Sequence, residues 1–132
     1  MELTVDTSVI IAVLTSEKER AALIRQIRGA ELAAPASVHW EIGKALAAML
    51  RRGRIDLRQA SRALRAYQQI PIRLIEVDLE EALQLAAEHG LYAYDAYVIA
   101  CARRLRSPLL ALDCGLLRAA GAAGVRVLEV AP

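Results

Sequence analysis

The sequence predicts an α/β fold, a three-layer sandwich with a mainly parallel central sheet of four to five strands. Three observations predict it. Short apolar runs recur along the chain, and each is separated from the next by a stretch whose apolar residues repeat with helical spacing. Strands joined through helices pair in parallel, and the helices then cover the sheet. The composition agrees: 56% of the 132 residues are hydrophobic, and the chain is dominated by Ala and Leu. That is enough to close one core, so residues 1–132 form a single domain. Finally, acidic residues stand where apolar runs end, as expected where strands turn into helices.

Taken in order, Leu3 to Asp6 is a first strand, followed by a helix from about Ser8 to Leu14. A second helix covers about Glu17 to Arg28 and ends at Gly29. Glu31 to Ala34 is a short strand stopped by Pro35. Ser37 reads as the N-cap of a long helix with Val38, Ile42, Ala45, Leu46 and Met49 on one face, broken by Gly53. Asp56 caps the next helix, which reaches about Gln69 before Pro71. Ile72 to Val77 is a strand, and Asp78 caps a helix to about His89 that Gly90 closes. Tyr94 to Leu105 is nearly all apolar and therefore a buried helix. Leu109 to Leu112 and Val125 to Val130 are the last strands, with a short helix from about Gly115 to Ala120 between them.

Composition excludes several classes. No apolar stretch reaches the ~18 residues of a membrane span, and no basic segment followed by an apolar one opens the chain. A cytoplasmic protein without membrane contact is expected. Cys101 and Cys114 lack metal-type spacing and read as small apolar residues. The net charge of +2 does not by itself imply a nucleic-acid partner. All basic residues except Lys18 and Lys44 are arginine. Arg51, Arg52 and Arg54 cluster at one predicted helix end, and Arg103, Arg106 and Arg104 at another; both clusters suit helix dipoles. His39 and His89 have no helical pairing with a metal-type ligand, and Trp40 reads as a packing residue.

Four acids carry the chemistry. Asp6 and Asp113 each close an apolar run, Asp95 is the only charge between Leu91 and Ala102, and Glu41 lies in the first turns of the long helix. Each alone has a structural role available: Asp6, Asp95 and Asp113 as helix caps, Glu41 as an i,i+3 partner of Lys44. Together they fit one rim, because parallel strands end, and their following helices begin, at the same edge of the sheet. Carboxylates gathered there repel one another and suit Mg²⁺ or Mn²⁺, hard cations that take oxygen ligands and keep several waters. Such ions activate water and stabilise charge during phosphodiester cleavage. Hydroxyls of Thr7 or Ser8 are placed to orient Asp6 from behind. A dehalogenase-type phosphatase needs an aspartate where Ser8 stands, and a receiver domain needs a late lysine, so neither fits.

The chain resembles the PIN domain, in particular the small VapC-type toxins of toxin–antitoxin pairs. The matching pieces are Val5-Asp6-Thr7-Ser8-Val9-Ile10, Trp40-Glu41-Ile42, Tyr94-Asp95-Ala96-Tyr97 and Leu110-Ala111-Leu112-Asp113. The resemblance implies that Asp6, Glu41, Asp95 and Asp113 form a catalytic, metal-binding quartet supporting hydrolysis of RNA with Mg²⁺ or Mn²⁺, and that Ser8 completes the site. It also implies a homodimer and a cognate antitoxin that covers the site. The expected function is a metal-dependent endoribonuclease; the alternative is a catalytically silent PIN-like module that binds RNA or protein.

Overall fold

The computed structural model describes residues 1–15 and 17–130. They form five strands and seven helices. Strand β1 (Glu2–Val5) leads into helices α1 (Thr7–Leu14) and α2 (Arg20–Ile27), then β2 (Glu31–Pro35). Helices α3 (Val38–Arg51) and α4 (Leu57–Gln69) precede β3 (Ile72–Ile75). After α5 (Leu79–His89) and α6 (Ala93–Leu105) come β4 (Leu109–Leu110), α7 (Cys114–Ala122) and β5 (Val127–Leu128).

The sheet runs β3-β2-β1-β4-β5, and every neighbouring pair is parallel. Its two faces follow from strand periodicity. Leu3, Val5, Ala34 and Leu110 face one core with α1 to α4, through Val9, Leu23, Ile42 and Ala63. Leu109 and Ala111 face the other way and pack with Leu85, Ile99 and Leu116 of α5, α6 and α7. Thr4, opposite Ala33 and Leu109 in register, lies on that second face. Its hydroxyl is fully buried and shares a 2.6 Å hydrogen bond with Ser107. Two helical layers on one parallel sheet make the predicted three-layer sandwich.

Several predicted strands are shorter than expected, for identifiable reasons. Beyond Leu110, the Leu112 amide donates to the Ser8 hydroxyl (3.4 Å) rather than to a neighbouring strand. The Val125 amide is still occupied by Ala120 of α7, and the Glu129 carbonyl takes a side-chain amide from Gln26. In β3, the Arg104 guanidinium caps the Glu76 carbonyl just past Ile75. Helix α2 starts at Arg20, three residues later than expected, because the Glu17 amide is still bonded back to the Ala12 carbonyl of α1. Conversely, α7 starts at Cys114 because the Asp113 side chain caps it.

Ile42 lies completely buried in the first core, one residue from Glu41. Ile42→Ala is expected to destabilise the domain by about 2–5 kcal/mol through lost burial and a residual cavity. Chemical denaturation would measure it, and a cost under ~1 kcal/mol would mean the site collapses around the smaller side chain.

Candidate acidic site at the carboxyl edge of the sheet

Strand order reverses at β1: the chain builds outward from it to β2 and β3, then returns to its other side with β4 and β5. A crevice opens at such a switch point, beyond the carboxyl ends of the two central strands. Asp6 follows β1 and Asp113 follows β4, so these two acids flank the crevice. The strands stay joined up to it, with the Asp6 amide donating to the Leu110 carbonyl at 3.1 Å.

Each acid is fixed locally in a different way. Asp6 is the N-cap of α1, its Oδ2 accepting from the Ser8 amide (3.2 Å) and the Ser8 hydroxyl (2.7 Å). Ser8 thus fixes the Asp6 side chain, and by accepting from Leu112 it also ties the β1 and β4 loops together. Thr7 has a different role from the one expected. Its hydroxyl donates to Glu41 Oε1 at 2.9 Å. The second oxygen, Oε2, accepts from the Ser37 hydroxyl at 2.9 Å.

Ser37 was expected to cap α3, but its backbone is helical and its side chain makes no cap bond. Its spacing of four from Glu41 was the available signal, because helical residues at i and i+4 share a face. Asp95 is likewise no N-cap. Tyr92 holds that position, and Asp95 sits in the first turn of α6, where the helix dipole favours a negative charge. Asp113 is the N-cap of α7, with Oδ1 accepting from the Gly115 amide at 2.8 Å.

The electrostatics show that the four acids share one neighbourhood. Burial pushes the Glu41 carboxyl above its usual range, and the charges of Asp6 and Asp95 add to the rise against the favourable hydrogen bonds from Ser37 and Thr7. Burial likewise raises Asp95, with Asp6 and Asp113 contributing. Asp95 is therefore within electrostatic reach of all three others. Its side chain accepts no hydrogen bond among the described residues, which leaves both oxygens available, while Asp6 keeps Oδ1 and Asp113 keeps Oδ2.

Among the described residues no group of three or more His, Cys, Asp or Glu side chains is placed so that it could hold a metal ion. The side chains of the rim are all carboxylates, an oxygen-donor chemistry that suits a hard, largely hydrated cation. It does not fit an ion that demands a complete protein shell.

A stability consequence follows from the raised carboxyls. A carboxyl whose folded value is raised binds its proton more tightly when folded, so stability falls as pH rises from the unfolded toward the folded value. Above that window the repulsion is present in full. Asp95→Asn removes one charge and no hydrogen bond, so it is expected to raise the metal-free melting temperature at neutral pH, with the gain vanishing in acid. Calorimetry across pH 3 to 7 would show it; equal melting curves at every pH would mean the carboxylates do not repel.

Other expectations are corrected by the fold. Trp40 is not a packing residue: it is 76% exposed. Lys44 forms no ion pair with Glu41, and its ammonium lies 5.6 Å from the Tyr94 ring centroid. Of the helix-end arginines, Arg103 pairs with Glu81 at 3.4 Å and Arg104 caps the Glu76 carbonyl, both structural contacts. His39 Nδ1 bonds the Tyr67 hydroxyl at 2.6 Å, joining α3 to α4 away from any metal-type ligand.

Comparison with known proteins matches this architecture. PAE2754 from Pyrobaculum aerophilum is 26% identical and superposes with a TM-score of 0.74, covering 98% of this chain and 91% of that one. VapC20 from Mycobacterium tuberculosis, described as a sarcin–ricin loop cleaving toxin, is 20% identical with a TM-score of 0.67, covering 98% and 99%. VapBC2 from Rickettsia felis, solved bound to a fragment of its promoter DNA, is 11% identical with a TM-score of 0.69, covering 98% of each chain. Among curated protein sequences none matches. The family profile of the PIN domain matches residues 3–122, which include all four acids of the rim. With its parallel β3-β2-β1-β4-β5 sheet and acids gathered where that order reverses, the chain belongs to the PIN domain family.

Proposed function

We propose that this protein is a metal-dependent endoribonuclease that cleaves RNA phosphodiester bonds and serves as the toxin of a type II toxin–antitoxin pair. The observation that carries the proposal is the coupling of the half-buried Asp95 to Asp6, Glu41 and Asp113 beside the switch point, a gathering of carboxylates that suits a cation. Support for the toxin role comes from the names of similar structures, VapC20 as a sarcin–ricin loop cleaving toxin and a protein from Klebsiella pneumoniae solved as a toxin–antitoxin complex. In this proposal the protein acts in the cytoplasm as a homodimer held in check by a cognate antitoxin. No helix among the described residues is long and apolar enough to cross a membrane. Leu79 and Leu83, one turn apart on α5, are 62% and 69% exposed and offer apolar surface to a protein partner.

In this mechanism Asp6, Asp95, Asp113 and Glu41 are the residues that would hold Mg²⁺ or Mn²⁺. When bound, the cation supplies Lewis-acid stabilisation of the negative charge that develops on the phosphoryl group. Ser8 fixes the Asp6 carboxylate through Oδ2 and leaves Oδ1 free of protein hydrogen bonds among the described residues. Thr7 and Ser37 clamp Glu41 through both oxygens. Its raised proton affinity suits it to take a proton from the attacking water and pass it on.

The test is incubation of the purified chain with single-stranded RNA in Mg²⁺, Mn²⁺ or excess EDTA, with fragment ends sequenced. Internal cleavage that requires the divalent ion is expected. Intact RNA under all three conditions, with the protein folded and bound to RNA, would favour the silent binding module instead.

A further inference from the structure

At the opposite edge of the sheet, remote from the acids, two helix-to-strand turns lie side by side. Arg106-Ser107-Pro108 leads α6 into β4, and Gly124-Val125-Arg126 leads α7 into β5; the two strands pair with Leu109 opposite Val127. Between these turns is a pocket of about 450 Å³ whose lining includes Arg103, Arg106 and Arg126 and no acidic residue.

Two facts set this pocket apart from an ordinary basic surface. Arg106 is the only non-glycine residue with positive φ (52°) among the described residues, at a helix C-cap where glycine is favoured. A strained backbone retained with a long charged side chain points to a use for that side chain. Charge accounting gives the second fact. Arg103 is paired with Glu81, whereas Arg106 and Arg126 form no ion pair among the described residues. The C-terminal ends of α6 and α7 each carry roughly half a negative charge. Together they offset about one arginine, and a net positive charge is left over in a concave site.

We propose that this pocket binds the phosphate group of a nucleotide-sized ligand, gripped by Arg106 and Arg126 from the two turns. A planar carboxylate satisfies a single guanidinium fork, while a phosphate offers oxygens in several directions and can take two forks at once. The volume falls in the range of small-ligand pockets, and Pro108, Ala123 and Val125 give the rest of the ligand an apolar wall. The site needs neither the acidic rim nor a metal, so it stands independently of the proposed nuclease activity.

Calorimetric titration of the whole chain with AMP, adenosine and succinate, in EDTA, tests it. AMP is expected to bind at one site per chain, adenosine and succinate at least tenfold more weakly. Arg126→Ala and Arg106→Gly should each weaken AMP at least tenfold. Arg106→Gly should keep or raise the melting temperature, because glycine accepts the left-handed backbone, so lost binding would not reflect unfolding. Absence of AMP binding, equal affinity for succinate, or unchanged affinity in both variants would overturn the proposal. Repeating the titration with RNA trinucleotides bearing a 5′-phosphate or a 5′-hydroxyl separates sources. A gain from the 5′-phosphate that Arg126→Ala abolishes supports an RNA end as the carrier; AMP binding without that gain supports a free nucleotide.

Discussion

Asp6→Asn is expected to lower ribonuclease activity by about 10³-fold or more, equivalent to ~4 kcal/mol of transition-state stabilisation, and to relieve growth arrest on expression. The substitution isolates charge. Asn is as good an N-cap as Asp, and its amide oxygen can still accept from the Ser8 amide and hydroxyl. Helix α1 and the tie between the β1 and β4 loops should therefore survive, and the melting temperature should not fall. What is lost is the anionic oxygen that faces Asp95 at the switch point. Initial rates of cleavage of a labelled RNA, measured beside a melting curve, would decide it. Full activity in a folded Asp6→Asn protein would remove the acidic rim from the chemistry.

Divalent cations should stabilise the fold, by about 2.7 kcal/mol at a hundredfold excess over the dissociation constant. For a domain of this size that corresponds to a rise of several degrees, on the order of 3–5 °C per kcal/mol. The physical source is compensation of buried negative charge: burial first, and the neighbouring acids second, raise the Glu41 and Asp95 carboxyls. The effect should therefore grow with pH as these groups ionise, and shrink in Asp95→Asn, which removes both a ligand oxygen and part of the repulsion. Ca²⁺ and monovalent salt at matched ionic strength separate binding from screening. A melting temperature that does not move across a wide Mg²⁺ and Mn²⁺ titration would leave the acids without a cation, and with it the mechanism without its electrophile.

Much of this protein is legible in its sequence because local rules decide it. Alternating apolar runs and helical stretches specify a parallel α/β sheet, and Asp56, Asp78 and Gly90 end their helices as their side chains and backbone freedom require. The placement of Asp6 and Asp113 at strand ends likewise follows from one-dimensional pattern. Tertiary structure alone decided the rest. Which strand lies beside which is set by pairing across long separations, and only that order turns β1 and β4 into the walls of one crevice. Ser37 reaches one Glu41 oxygen across a single helical turn, but Thr7 reaches the other from α1, 34 residues away, a contact that no local segment encodes. Trp40 is exposed because α3 turns Val38, Ile42, Leu46 and Met49 inward, and a helix has only one face to bury against its neighbours. Short-range propensity thus wrote the elements and their punctuation; long-range packing made four separated carboxylates into neighbours.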